Sequence, residues 1–172
     1  ELFDLFSIAL KDVLEQEIRL LIITNDYERG VCLMKEHMSD DLHSKIIIRS
    51  ANRDEVPTYI HAMSLMASFI TPTYARQGAS PTKIAESLAC GVPIISNAGV
   101  GDISEQIKTL RCGYLIENLS KDNLHNIVLN LHDIISIESS SLRNRIEPYL
   151  GLNFAIAKYK DAYSMLGEKS NV

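Results

Sequence analysis

Ser80, Thr82, Lys83 and Glu86 place two hydroxyls, an ammonium and a carboxylate within two turns of one expected helix. Ser80-Pro81-Thr82-Lys83 reads as a helix start, with Ser80 as the cap and Pro81 at the first helical position. The unpaired N–H groups of such a turn and the positive end of the helix dipole favour an anion, most naturally phosphate. Arg76 offers a second cation. Glu86 suits a different partner, because a carboxylate accepts hydrogen bonds from neutral hydroxyls and repels phosphate. A diphosphate beside a sugar diol satisfies both features, and a nucleoside diphosphate has both. The same spacing also fits an ordinary exposed i,i+3 pair of Lys83 with Glu86, worth about 0.2–0.5 kcal/mol. Spacing alone leaves both readings open.

A parallel sheet is the element that must position this turn. Apolar runs at 18–24 (IRLLIIT), 45–50 (KIIIRS), 68–71, 92–96 (VPIIS) and 113–116 read as five strands. Amphipathic helices are expected over about 1–15, 27–38, 54–66, 81–90, 102–110, 120–137, 140–150 and 153–167. In the last, Ile156, Tyr159, Tyr163 and Leu166 form an apolar stripe. Residues 73–80 are expected to be a loop. Alternating strands and helices imply a doubly wound, Rossmann-like α/β fold with helices on both faces. Ligands in such folds lie at the carboxyl ends of the strands. The segments 24–27, 50–55, 72–82 and 97–102 fall at those ends.

Composition narrows the function. The 172 residues suit one domain, and 46% apolar content supports a sizeable core. Seventeen basic against 22 acidic residues give a net charge of −5, which argues against a nucleic-acid binder. Cys32, Cys90 and Cys112 show no metal spacing and read as small core residues in a reducing compartment. The five histidines are scattered, so no metal site is expected. The uncharged run Val56 to Ala75 contains Pro57, His61 and Pro72 and does not read as a membrane span.

The run Ser80 to Ser96 (SPTKIAESLACGVPIIS) resembles the signature of glycosyltransferase family 4, in the C-terminal, donor-binding half of the GT-B fold. Thr71-Pro72-Thr73, the glycine loop 97–102 (NAGVGD) and Cys112 to Ile116 (CGYLI) extend the likeness, as does a closing helix with Phe154, Tyr159 and Tyr163. The resemblance implies that Glu86 binds the ribose hydroxyls of a UDP- or GDP-sugar. It implies that Ser80, Pro81, Thr82 and Lys83 cradle the diphosphate, with Arg76 nearby. The loop from Asn52 to Val56, with Arg53, matches the place where the base is read. The family's first glutamate falls at Gly78, a departure that touches the donor-sugar contact. The chain starts at the family's opening helix, without the central first strand and its glycine loop. Residues 1–172 are therefore expected to be one nucleotide-sugar-binding domain of a longer protein, inactive alone and lacking the N-terminal acceptor domain. The chemistry implied is retaining sugar transfer to a hydroxyl of a glycan or lipid-linked acceptor, with no cofactor and no metal. Bacterial surface-polysaccharide assembly is the implied setting, in the cytoplasm with a peripheral contact to the inner membrane face.

Two rival readings remain. Gly99-Val100-Gly101 after a strand, with Glu117 ending the next, loosely mimics an NAD-binding dehydrogenase fingerprint. A non-catalytic interaction module could keep the fold without the donor site, and a Glu86 salt-bridged to Lys83 or Arg76 would point that way.

Overall fold

The computed structural model describes residues 1–12 and 18–168. Among these, five short strands each pair parallel with their neighbours: β1 (Leu20–Ile23) with β2 (Ile46–Arg49), β3 (Met66–Ser68) with β4 (Ile94–Asn97), and β4 with β5 (Gly113–Ile116). Nine helices surround them: α1 (Leu2–Asp12), α2 (Tyr27–His37), α3 (Val56–His61), α4 (Thr82–Ala89), α5 (Ile103–Leu110), α6 (Lys121–Leu129), α7 (Leu131–Ile135), α8 (Ser139–Leu150) and α9 (Leu152–Glu168). This is the parallel α/β class expected. Val13, expected in the first helix, lies outside the described residues.

Helices cover both faces because β4 is apolar on both. Ile94 enters a core with Ile84 and Leu88 of α4, Ile103 and Ile107 of α5, and Leu142 of α8. The next residue, Ile95, points the opposite way, into a core with Leu5 and Ala9 of α1 and Leu124 and Ile127 of α6. Successive side chains of a strand alternate between faces, so two adjacent isoleucines demand two helical layers. A third cluster joins Phe6 of α1 to Ile46 and Ile48 of β2.

The single five-stranded sheet expected is instead two: β1 with β2, and β3–β4–β5. No described strand pairs with both β1 and β3. Helix α1 spans the two halves, giving Leu5 and Ala9 to one core and Phe6 to the other. All four residues of β1, though apolar, are only half-buried.

Several boundaries also move. The helix expected over 54–66 is only Val56–His61, and the third strand begins at Met66, where the Met66 N–H reaches the Pro93 carbonyl at 3.0 Å. Asn130 interrupts the long helix expected over 120–137, with φ −100° and ψ 5°. A 3-10 turn occupies 74–78, where a loop was expected. The stripe on α9 stays largely outside the core, with Tyr159 68% and Tyr163 71% exposed. Cys32 is no core residue: its exposed thiol donates to the Glu36 carboxylate at 3.3 Å.

Cys112 does lie in the core, and burial pushes its thiol up to about 11. A thiol whose folded value exceeds its unfolded value stabilises the fold fully below the unfolded value. That stability is lost as pH rises toward the folded value. Urea unfolding is therefore expected to show up to about 3 kcal/mol of alkaline destabilisation between pH 9 and 11 that Cys112→Ala no longer shows. An equal pH slope in both proteins would contradict this.

Candidate functional site

The loops that follow β3 and β4 meet at the carboxyl end of the sheet. Asn97, the last residue of β4, is 1% exposed. Its Oδ1 accepts the Ile70 N–H at 2.9 Å, and its Nδ2 donates to the Ile70 carbonyl at 2.8 Å and the Ala98 carbonyl at 3.0 Å. The side-chain amide thus continues the β3–β4 ladder past Ser68, where backbone pairing ends. One residue earlier, buried Ser96 donates from Oγ to the Ser68 carbonyl at 2.9 Å. Among the described residues no buried side-chain nitrogen or oxygen lacks a partner.

Beyond this staple the two loops touch. The Gly101 N–H donates to the Arg76 carbonyl at 3.0 Å. A Cβ on Gly101 would fall 1.7 Å from the Ala79 carbonyl oxygen, and the residue has φ +45°. Only glycine permits both that approach and that backbone. The glycine loop therefore acts as a spacer that seats segment 72–79 just before α4.

Helix α4 starts one residue later than the capping pattern implies. Pro81 is the N-cap, with an extended ψ of 111°, and no side chain caps the helix. Ser80 is exposed and outside it. The Ile84 N–H bonds to the Pro81 carbonyl at 3.0 Å, which leaves Thr82 and Lys83 to present the first-turn N–H groups. Both residues are exposed.

Lys83 Nζ and Glu86 Oε2 lie 3.1 Å apart, with side chains 64% and 46% exposed. Glu86 is neither in the core nor turned to the far side of α4, since it meets a side chain of the opening turn. Arg76 and Gly78 belong to the exposed 3-10 turn, and nothing lies within 4 Å of a Cβ built on Gly78. Arg76 contributes its backbone carbonyl to the loop contact rather than its guanidinium.

Arg53 is not brought to this cluster by any hydrogen bond or ion pair. It occupies an exposed turn before α3. Helix α3 meets α4 near the latter's end, where His61 Nδ1 lies 3.2 Å from the Cys90 carbonyl. Among the described residues no group of His, Cys, Asp and Glu is placed to hold a metal ion.

The glycine loop is legible in the sequence, whereas the role of Asn97 as its anchor is not. The available signal was a polar residue closing an apolar run (VPIISN) whose two faces must both be buried.

Comparison with known proteins follows the same lines. The family described as "Glycosyl transferases group 1" matches residues 2–133. No curated protein matches. Among solved structures, sucrose-phosphate synthase from Thermosynechococcus elongatus superposes with a TM-score of 0.68 at 15% identity, over 97% of this chain and 42% of that one. TarM gives 0.66 at 15% identity, over 93% and 31%. AviGT4, a glycosyltransferase involved in avilamycin A biosynthesis, gives 0.61 at 12% identity, over 94% and 46%. This chain spans less than half of each, and at such identity the likeness is one of fold.

Two substitutions test the positioning scheme. Asn97→Ala strands a backbone donor and acceptor and is expected to cost about 2–4 kcal/mol in urea unfolding. Gly78→Ala, with open space and no positive φ, is expected to be neutral or to stabilise by up to about 1 kcal/mol. A tolerated Asn97→Ala or a damaging Gly78→Ala would contradict the scheme.

Proposed function

The chain belongs to the group 1 glycosyl transferases, and on that premise we propose that it is the donor-binding part of a retaining family 4 enzyme. Its ligand is a UDP- or GDP-linked sugar, transferred to a hydroxyl acceptor. The observation that supports this reading is one shared face. The opening turn of α4, Lys83 and Glu86 stand together, exposed, beside loops fixed at the carboxyl ends of β3 and β4.

The mechanism follows from the charges. Sugar transfer leaves a diphosphate while positive charge develops on the sugar ring, so donors already aimed at the departing oxygens lower the barrier. The Thr82 and Lys83 N–H groups and the Lys83 ammonium supply them. The Lys83–Glu86 pair does not stand in the way. An exposed pair of this spacing is worth about 0.2–0.5 kcal/mol. Each charge-assisted hydrogen bond that replaces it is worth about 1.5–3 kcal/mol. On binding, Lys83 turns to phosphate and Glu86 is released to a ribose diol. In this reading the acceptor, a glycan or lipid-linked hydroxyl, is held by a separate N-terminal domain. Polysaccharide assembly in the cytoplasm, at the inner face of the membrane, is the setting this reading favours.

One observation favours a second reading, a binding module without donor chemistry: Glu86 is already paired with Lys83. The dinucleotide reading fares worse, because the Gly101 N–H is committed to the Arg76 carbonyl.

Thermal-shift assays of the intact protein with UDP, GDP, their sugar conjugates and NAD separate the three. Stabilisation by a nucleoside diphosphate but not by NAD is expected. Glu86→Ala is expected to weaken that binding by about 10- to 150-fold in calorimetry. A folded protein that no nucleotide stabilises, or an unchanged affinity in Glu86→Ala, would overturn the proposal.

A further inference from the structure

Among the described residues nothing pairs with the outer edge of β5. The Cys112 carbonyl accepts from Ile94, and the Ile116 carbonyl accepts from Ala98. In a parallel ladder this phase turns the backbone groups of Tyr114 and Ile116 toward β4. Those of Gly113, Leu115 and Glu117 face outward, and no described residue bonds to them. Natural edges are usually blunted by a charge, a proline or a bulge within the strand. Strand β5 reads Gly-Tyr-Leu-Ile and has none of these.

A groove of about 750 Å³ runs along this edge, bounded by Ile107, Lys108 and Arg111 of the α5 end and by Ile137 and Arg145 on the α8 side. Its cations are available. Lys108 and Arg111 are exposed, and neither they nor Arg145 forms an ion pair with a described residue. Arg145 is held in place by its Nη1, which donates to the Arg111 carbonyl at 3.1 Å, and by its Nε, which donates to the Ser141 carbonyl at 3.3 Å. Two acids also line the groove. Glu117 lies at the far end of the strand, and Glu138 keeps its charge while accepting from the Ser140 hydroxyl, so three cations face two acids. The amino end of β5 is thus locally basic in a chain of net charge −5.

We propose that this edge is a docking site for an extended acidic segment of a partner protein, which adds to β3–β4–β5 as a fourth strand. Main-chain bonds to Gly113, Leu115 and Glu117 would supply affinity. Acidic side chains facing Lys108, Arg111 and Arg145 would supply selectivity and fix the register. A second copy of this chain is the competing occupant, and the oligomeric state measured in the test below decides between them.

The test uses two labelled octapeptides, one alternating Glu and Val, the other Lys and Val, in fluorescence anisotropy with the intact protein. The acidic peptide is expected to bind at least about tenfold tighter. The double variant Lys108→Gln, Arg111→Gly removes two cations, and Arg111 already has the left-handed φ of 47° that glycine favours. It is expected to keep the wild-type melting temperature and lose about tenfold in acidic-peptide affinity. Amide exchange at Gly113, Leu115 and Glu117 is expected to slow in the complex. Equal binding of both peptides, unslowed exchange, or full displacement by equimolar inorganic phosphate would overturn the proposal. So would a concentration-dependent homodimer that the double variant abolishes.

Discussion

A side-chain amide takes the place of backbone where the central strands part. β3 pairs with β4 for only three residues, ending at Ser68. The chain must then stay beside β4 long enough to deliver the following loop to the right place. Asn97 does this by offering Ile70 an acceptor and a donor at 2.9 and 2.8 Å from inside the core. In a low-dielectric interior such an amide cannot be exchanged for an apolar group without leaving Ile70 unpaired. From Ile70 the path runs through Pro72 to the 3-10 turn, where Gly101 closes on Arg76 and Ala79. Helix α4 therefore begins at a position set by the sheet.

This arrangement separates rigidity from reactivity. Asn97, Ser96 and Val100 are buried and satisfied, whereas Thr82, Lys83 and Glu86 are exposed. A ligand at the opening turn would meet donors whose backbone positions are already determined. It would displace only a surface ion pair of small worth. Binding in such a site need not reorganise the fold, which is the condition for effective electrostatic stabilisation of a leaving diphosphate. Gly78 fits the same division, as a position with no neighbour to constrain it.

Legibility in the sequence followed the strength of local pattern. Apolar runs located β1, β2, β4 and β5, with β5 at the residues expected, but the third strand, expected over 68–71, is Met66–Ser68, because Asn97 takes over the pairing beyond Ser68. Asp26 caps α2, accepting the Arg29 N–H at 3.0 Å. The division into two sheets was not legible, since pairing between distant strands depends on what lies between them. Nor was the exposure of Cys32, because an apolar neighbourhood in sequence says little about which face of α2 a residue occupies. Ser80 shows the limit of capping rules. Pro81 holds an extended ψ, so the helix starts after it and the serine hydroxyl is left outside. At the site, the residue types that could do chemistry were visible. The buried amide that places them emerged only with the packing.

If the chain binds a nucleotide sugar as proposed, the opening turn of α4 receives the diphosphate at the carboxyl end of the sheet. Backbone amide chemical shifts of the isotope-labelled intact protein, followed during addition of UDP or GDP, report on it most directly. The largest changes are expected at Thr82 and Lys83, with smaller ones at Gly99 to Gly101. Saturating nucleotide that leaves those amides unmoved, or shifts that centre on another part of the molecule, would contradict it.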